Sequence, residues 1–126
     1  MQKILYIAIG GAVGTLARYG TGTLLSSQMQ RTGFPWATLA VNLCGCFLIG
    51  YLNGIFAERV PVSAEIKAGL LIGVLGGFTT FSSFGYETMT LFQARQMGYA
   101  IANILANNVI GLLLAFGGYA LGHGKM

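Results

Sequence analysis

Long apolar runs alternate with short polar segments along the whole chain. The apolar runs cover residues 4–25, 37–57, 64–92 and 98–122. About 20 predominantly apolar residues in a helix suffice to cross the hydrocarbon core of a bilayer. The pattern therefore predicts an all-α membrane protein with a single four-span transmembrane domain, residues 1–126, and a polar loop at 26–34 between the first two spans.

The third apolar run contains a stretch that is poor material for an unbroken helix. It holds paired glycines and four hydroxyl residues, namely Gly76, Gly77, Thr79, Thr80, Ser82 and Ser83. Glycine loses much backbone entropy in a helix, and serine and threonine hydroxyls compete for its backbone groups. Because non-helical backbone persists at membrane depth only beside protein or a water-filled path, we predict a break near residues 76–82 next to a polar site.

Polar and aromatic side chains are expected around this break. Phe81 and Phe84 are three residues apart and share a helical face. Glu87 is a carboxylate inside an apolar run, which by default indicates a functional site. Asn42, in the second run, brings two amide donors and one acceptor oxygen into the membrane. Its spacing alone leaves open whether it joins two helices or serves a site.

Further polar positions lie in the first and fourth runs. Arg18 either reaches the membrane interface or places a cation at the edge of an aqueous vestibule, where it would concentrate anions. Asn103 and Asn107 are one turn apart and face together, whereas Asn108 is rotated by about 100°. His123, near the end of the chain, is expected to be solvated.

Composition narrows the class of protein. Of 126 residues, 55% are hydrophobic and only 8% are charged, whereas about a quarter of the residues in a soluble domain are charged. The net charge of +4 is not gathered into a basic patch with interleaved aromatic residues, so no nucleic-acid partner is expected. No catalytic set of side chains is visible, which argues against an enzyme. Amide and hydroxyl donors near a cation suit a small anion instead.

The loop charges predict an unusual topology. With four spans, the side that holds both termini carries Lys3, Arg59, Lys67 and Lys125, and the opposite side carries Arg31 and Arg95. Such a weak positive-inside bias permits insertion in both orientations. An antiparallel homodimer in membrane lipid then becomes possible.

Three motifs resemble one known family. Residues 76–88, Gly-Gly-Phe-Thr-Thr-Phe-Ser-Ser-Phe-Gly-Tyr-Glu-Thr, are similar to the GGxTTFSTFSxET signature of the Fluc (CrcB) fluoride channels. Residues 10–19 resemble that family's glycine-rich first span with its arginine, and residues 37–43 resemble its GTLxVN motif. The resemblance covers essentially the whole chain.

The resemblance implies a passive channel that exports cytoplasmic fluoride across a prokaryotic inner membrane. It further implies an antiparallel, dual-topology homodimer with two pores and a central structural sodium ion. The implied pore residues are Phe81, Phe84, Asn42, Thr38, Ser82, Ser83, Asn108 and Glu87, with Arg18 at the vestibule. The implied sodium ligands are the backbone carbonyls of Gly76 and Thr79.

The fourth span departs from the family pattern. Ile104 and Leu112 stand where some relatives have polar residues, so Asn103, Asn107 and Asn108 all remain candidates for lining the path. The alternative function is a proton-coupled exporter of the small multidrug resistance type. Those proteins have a carboxylate in their first span, and this first span has none.

Overall fold

The computed structural model describes residues 1–124, and all regular structure in that range is helical. The helices are α1 (Gln2–Leu24), α2 (Ser26–Thr32), α3 (Trp36–Glu58), α4 (Ala64–Ala68), α5 (Leu75–Phe78), α6 (Phe81–Gln93), α7 (Met97–Leu105) and α8 (Gly111–His123). A π-helical turn, Gly69–Val74, joins α4 to α5, and another, Ala106–Ile110, joins α7 to α8. Lys125, which enters the predicted charge balance, lies outside the described residues.

Three helical segments within residues 1–124 are long and apolar enough to cross a membrane. They are Trp36–Glu58, Ala64–Gln93 and Met97–His123, with mean hydropathies of 1.7, 1.4 and 1.8. These segments coincide with the second, third and fourth apolar runs, so three of the predicted spans are confirmed as helices of spanning length. The first run forms α1, a helix of 23 residues.

Glycines let α1 lie directly against the segment 64–78. A Cβ added at Gly10 would meet the Gly69 carbonyl oxygen, and a Cβ added at Gly14 would meet the Val74 carbonyl oxygen. Small residues allow such close approach between membrane helices. Because the contacting positions rise together along both segments, the two run parallel.

The same device joins α3 to α8. A Cβ added at Gly50 would meet the Ala115 carbonyl oxygen, and one added at Gly54 would meet the Tyr119 carbonyl oxygen. Here too the contacting positions rise together, so α3 and α8 are parallel. This pairing brings Asn42 of α3 to Asn107, near the start of the π-helical turn that precedes α8.

The expected loop at 26–34 is wrong, because α2 occupies most of it. Gly33 ends this helix with φ 73°, a left-handed conformation that glycine adopts without strain. Thr32 then accepts a hydrogen bond from the Trp36 indole, Oγ1 to Nε1 2.9 Å. This contact fixes the entry into α3.

The expected solvated position of His123 is also wrong. Its side chain is only 11% exposed, and its Nε2 lies 3.3 Å from Glu58 Oε1. The ring stacks on Tyr119 with centroids 5.4 Å apart. The reason is that α8 continues as far as His123 and remains packed against α3 through Gly54.

We expect Gly118→Ala to lower the free energy of unfolding by about 1 to 3 kcal/mol, as overpacking of a close contact does. A Cβ at Gly118 would meet the Phe47 carbonyl oxygen, whereas the neighbouring Gly117 has nothing within 4 Å of its Cβ position. Gly117→Ala is therefore the matched control. Thermal unfolding of both variants in detergent, followed by circular dichroism, tests this. Equal midpoints would contradict the packing described for α3 and α8.

Candidate functional site

The helix that begins at Ala64 is interrupted at two threonines. Thr79 has φ −87° and ψ 158°, and Thr80 has φ −153° and ψ 119°, both in the extended region. The α5 helix ends at Phe78 and α6 begins at Phe81. The predicted break near residues 76–82 is therefore confirmed.

Asn42 supplies the hydrogen bonds that the broken helix lacks. Its Oδ1 accepts from the Thr80 backbone N–H at 2.8 Å, and its Nδ2 donates to the Thr80 carbonyl at 3.0 Å. The same Nδ2 also donates to Asn107 Oδ1 at 2.9 Å. The nitrogen of the Asn42 amide thus donates two hydrogen bonds within the protein, and its oxygen accepts one.

The Thr80 hydroxyl caps the following helix. It accepts a hydrogen bond from the Ser83 N–H at 3.2 Å and donates to Ser83 Oγ at 3.1 Å. Ser82 Oγ lies 3.4 Å from the same hydroxyl. Threonine is a favourable N-cap because its oxygen satisfies an N–H that has no partner inside the helix. Three of the four hydroxyl residues in this stretch therefore lie together at the break and form a hydroxyl cluster.

These two caps release two backbone carbonyls. In an unbroken helix the Thr80 N–H would bond the Gly76 carbonyl, and the Ser83 N–H would bond the Thr79 carbonyl. Both N–H groups bond elsewhere instead, to Asn42 and to the Thr80 hydroxyl. Gly76 is exposed and, with Thr79, lines a cavity of about 330 Å³. Carbonyl oxygen is a ligand that hard cations favour, so this pair fits the metal-binding role that the resemblance implies.

A second cavity, of about 380 Å³, lies on the other side of the break. It brings together four polar side chains of the predicted site, those of Arg18, Thr38, Ser83 and Glu87, and it is also lined by Thr80. Thr80 lines both cavities. Of the two extended residues at the break, Thr80 therefore borders both hollow regions and Thr79 borders the first alone.

Glu87 is held on the wall of the second cavity. Its Oε1 accepts a hydrogen bond from the Thr38 hydroxyl at 2.6 Å, and Thr38 itself is only 7% exposed. The other oxygen, Oε2, is buried and has no hydrogen-bond partner in the protein. One carboxylate oxygen is thus fixed by α3, while the other keeps its capacity to accept.

The two predicted phenylalanines share a face, as expected from their spacing. Their ring centroids are 5.4 Å apart with an interplanar angle of 49°. Phe84 is 8% exposed, whereas Phe81 is 78% exposed. Both line the 330 Å³ cavity beside the break.

The three amides of the fourth apolar run divide as their spacing predicts. Asn107 Nδ2 donates to the carbonyl of Asn103 at 2.9 Å and to its Oδ1 at 3.0 Å, so these two do face together. Asn108 does not join this pair: it is exposed, donates to the Ile104 carbonyl and lines the 330 Å³ cavity, as Asn107 does. Sequence reasoning missed Thr88, whose hydroxyl accepts from Asn103 Nδ2 at 3.0 Å. Its position two turns after the hydroxyl cluster was the available signal.

The fold and the site define a small integral membrane protein with a capped helix break between two cavities. Residues 5–119 match the family model described as CrcB-like protein, Camphor Resistance (CrcB), so the chain belongs to the CrcB family. It is 47% identical to the fluoride-specific ion channel FluC of Thermus thermophilus over 97% of this chain and 96% of that protein. It is 44% identical to the protein of the same name from Agrobacterium fabrum, over 97% of each.

Replacing Asn42 by aspartate should destabilise the protein, because a carboxylate has no N–H to offer the two oxygens that Asn42 now bonds. Two acceptors would be left facing acceptors, at a cost of about 1 to 3 kcal/mol for each buried group. Thermal unfolding in detergent measures this. Asn53→Asp is the control, since Asn53 donates only to Ile49 of its own helix. Similar losses in both variants would mean that Asn42 does not cap the break.

Proposed function

We propose that this protein is a passive, fluoride-selective ion channel, not an enzyme, that lets fluoride leave the cytoplasm across a prokaryotic cytoplasmic membrane. The observation that carries the proposal is the near full-length similarity to relatives named fluoride-specific ion channels. Hydrogen fluoride crosses membranes as a neutral weak acid and dissociates inside a cell. A selective pore then lets the trapped anion flow out down its gradient.

The chemistry around the break supports a path for a small anion. The proposed pore residues are Phe81, Phe84, Asn42, Thr38, Ser82, Ser83, Asn108 and Glu87. Amide and hydroxyl donors can replace the water that an anion loses on entering a narrow path. Aromatic rings carry a positive edge, so the exposed Phe81 ring can meet an anion edge-on. Asn42 contributes chiefly by shaping the break, since its donors are engaged.

The position of Arg18 on the wall of the 380 Å³ cavity supports the proposal that this cavity is a vestibule for anions. A cation at the wall of a cavity with low-dielectric surroundings raises the local concentration of anions. Glu87 lines the same cavity and opposes this effect in part. The Thr38 hydroxyl offsets that opposition, because it already donates to one oxygen of the carboxylate.

Helix directions support four spans. Ala64–Gln93 and Met97–His123 are joined by a short turn, and α3 runs parallel to α8, so the spans alternate in direction. The α1 helix runs parallel to 64–78. At about 1.5 Å per residue, its 23 residues extend about 35 Å, which exceeds the roughly 30 Å hydrocarbon core. A first span in this direction completes the alternation.

An antiparallel, dual-topology homodimer is supported by the surface at the break. Phe81 is 78% exposed, and the 330 Å³ cavity beside it is open to the outside of this single chain. A second copy related by a two-fold axis in the membrane plane would cover that surface and complete two equivalent pores. The weak charge bias between Lys3, Arg59 and Lys67 on one side and Arg31 and Arg95 on the other permits both orientations.

A structural sodium ion at the dimer centre would be held by the carbonyls of Gly76 and Thr79. The two caps leave these oxygens without their usual helical partners, and Gly76 lies on an open face where even a Cβ would touch nothing. Two copies would offer four oxygens. The ion would supply positive charge that satisfies them and ties the two chains together.

The proton-coupled exporter of the small multidrug resistance type is the weaker candidate. The family match and the names of the relatives both favour a fluoride channel. No carboxylate lies in α1, where that class of exporter has one.

Fluoride efflux from liposomes tests the proposal. Purified protein should release fluoride rapidly once an ionophore balances the charge, and it should retain chloride, with a fluoride electrode and a chloride electrode as readouts. Protein-free liposomes are the control for leakage. Folded protein that releases neither anion, or both equally, would contradict a fluoride-selective channel.

Phe81→Ile should reduce fluoride efflux while the protein still folds. Isoleucine keeps apolar bulk but removes the positive ring edge, and we expect a loss of about tenfold, which corresponds to roughly 1.4 kcal/mol on the transport barrier. Phe116→Ile is the matched control, because Phe116 is similarly exposed, at 74%, and lines neither cavity beside the break. Undiminished efflux in Phe81→Ile would remove this ring from the mechanism.

A further inference from the structure

The hydrogen bonds at the break form a circuit that starts at Thr80, the N-cap of α6, and ends within α6. The circuit runs from the Thr80 backbone through Asn42, Asn107, Asn103 and Thr88 to the Phe84 carbonyl. It connects α3, the fourth apolar run and α6 through three side-chain amides and the Thr88 hydroxyl. Asn103 is 0% exposed, so its amide forms hydrogen bonds only with other groups of the protein.

The circuit has a fixed direction, and Thr88 sets it. The Thr88 hydroxyl has a single proton, which it donates to the Phe84 carbonyl at 2.8 Å. Its oxygen can therefore only accept from Asn103, whose Nδ2 lies 3.0 Å away. This turns Asn103 Oδ1 towards Asn107.

The remaining amides follow in order. Asn107 must present Nδ2 to Asn103 Oδ1, which leaves Asn107 Oδ1 to accept from Asn42 Nδ2. Asn42 Oδ1 then faces the Thr80 N–H. If Asn42 were turned over, its nitrogen would face an N–H and its oxygen would face the Thr80 carbonyl, so both contacts would be repulsive.

We propose that Asn107, oriented by Asn103 and Thr88, is a positioning residue that locks the Asn42 amide in the direction that the Thr80 backbone requires and so holds the helix break in its capped geometry. The effect on fluoride transport rests on the proposed function, whereas the effect on the break does not. In this assignment Asn103 and Asn107 act through Asn42, and Asn107 also lines the 330 Å³ cavity beside the break.

The first test compares Asn107→Leu with Asn53→Leu in the full-length protein in lipid nanodiscs. Both asparagines donate to the carbonyl four residues earlier, but only Asn107 also bonds other side chains. We expect hydrogen exchange of the Thr80 amide, followed by NMR, to quicken by about tenfold in Asn107→Leu, on the order expected when one interhelical hydrogen bond is lost. Asn53→Leu should leave it unchanged. Unchanged exchange in a folded Asn107→Leu protein would overturn the proposal.

Fluoride efflux provides a readout that a merely structural role would not give. If Asn107 acts through Asn42, Asn107→Leu should lower efflux in the native background and have little further effect in an Asn42→Ala background. Efflux losses that multiply independently in the double variant would overturn a positioning role. Efflux is normalised to the amount of folded protein in each preparation.

Thr88→Val keeps the test decisive if Asn107→Leu does not fold. Valine matches the shape of threonine but removes the oxygen that orients Asn103. Thr90→Val is its control, because Thr90 lies on the same helix and its hydroxyl donates only to the Tyr86 carbonyl. Faster Thr80 exchange in Thr88→Val alone supports the circuit. Equal exchange in Thr88→Val, Thr90→Val and the native protein refutes it.

The two readouts separate failure of this inference from failure of the proposed function. Native protein that carries no fluoride, yet shows the expected exchange changes at Thr80, would refute the channel and leave the positioning role intact. Native protein that carries fluoride, with exchange and efflux unaffected in both Asn107→Leu and Thr88→Val, would refute the positioning role alone.

Discussion

The site depends on one requirement, that backbone polar groups at membrane depth must find partners within the protein. The Thr79 N–H still bonds the Leu75 carbonyl, at 3.0 Å, but the Thr80 N–H has lost its helical partner. Asn42 meets the requirement from a different helix, by bonding both the N–H and the carbonyl of Thr80. Each of these groups, left buried and unpaired, would cost about 1 to 3 kcal/mol. The break is therefore a joint property of the third span and of α3.

Glycine packing is what brings the amide within reach. Gly45 follows Asn42 by three residues and so lies on the same face of α3. A Cβ at Gly45 would meet the Thr79 side-chain methyl, so a larger residue there would push α3 away from the break. Asn42 thus supplies the hydrogen bonds that the break needs, and Gly45 allows α3 to come close enough to supply them. The glycines along α3 and α8 hold those two helices close together, which keeps Asn107 within hydrogen-bonding distance of Asn42.

The sequence predicted much of this arrangement, but not the partners across helices. Spans and break follow from composition within one segment, and the shared face of Asn103 and Asn107 follows from helical spacing. The bond from Asn42 to the Thr80 backbone and the role of Thr88 depend on the axial register between packed helices, which periodicity within one helix does not contain. The same limit explains why His123, which packs beside Glu58, was expected to be solvated.

At the break, side chains provide hydrogen-bond partners for two backbone N–H groups but not for the carbonyls that these N–H groups would bond in a continuous helix. The Thr80 and Ser83 N–H groups are satisfied by side-chain oxygens. The carbonyls of Gly76 and Thr79, which these N–H groups would serve in a continuous helix, receive no such replacement from the caps. A cation would offset the cost of two bare oxygens at membrane depth better than a neutral partner, since its charge acts on both at once. We therefore propose that capping the donors from within leaves a place for positive charge in a protein that we propose carries a negative ion.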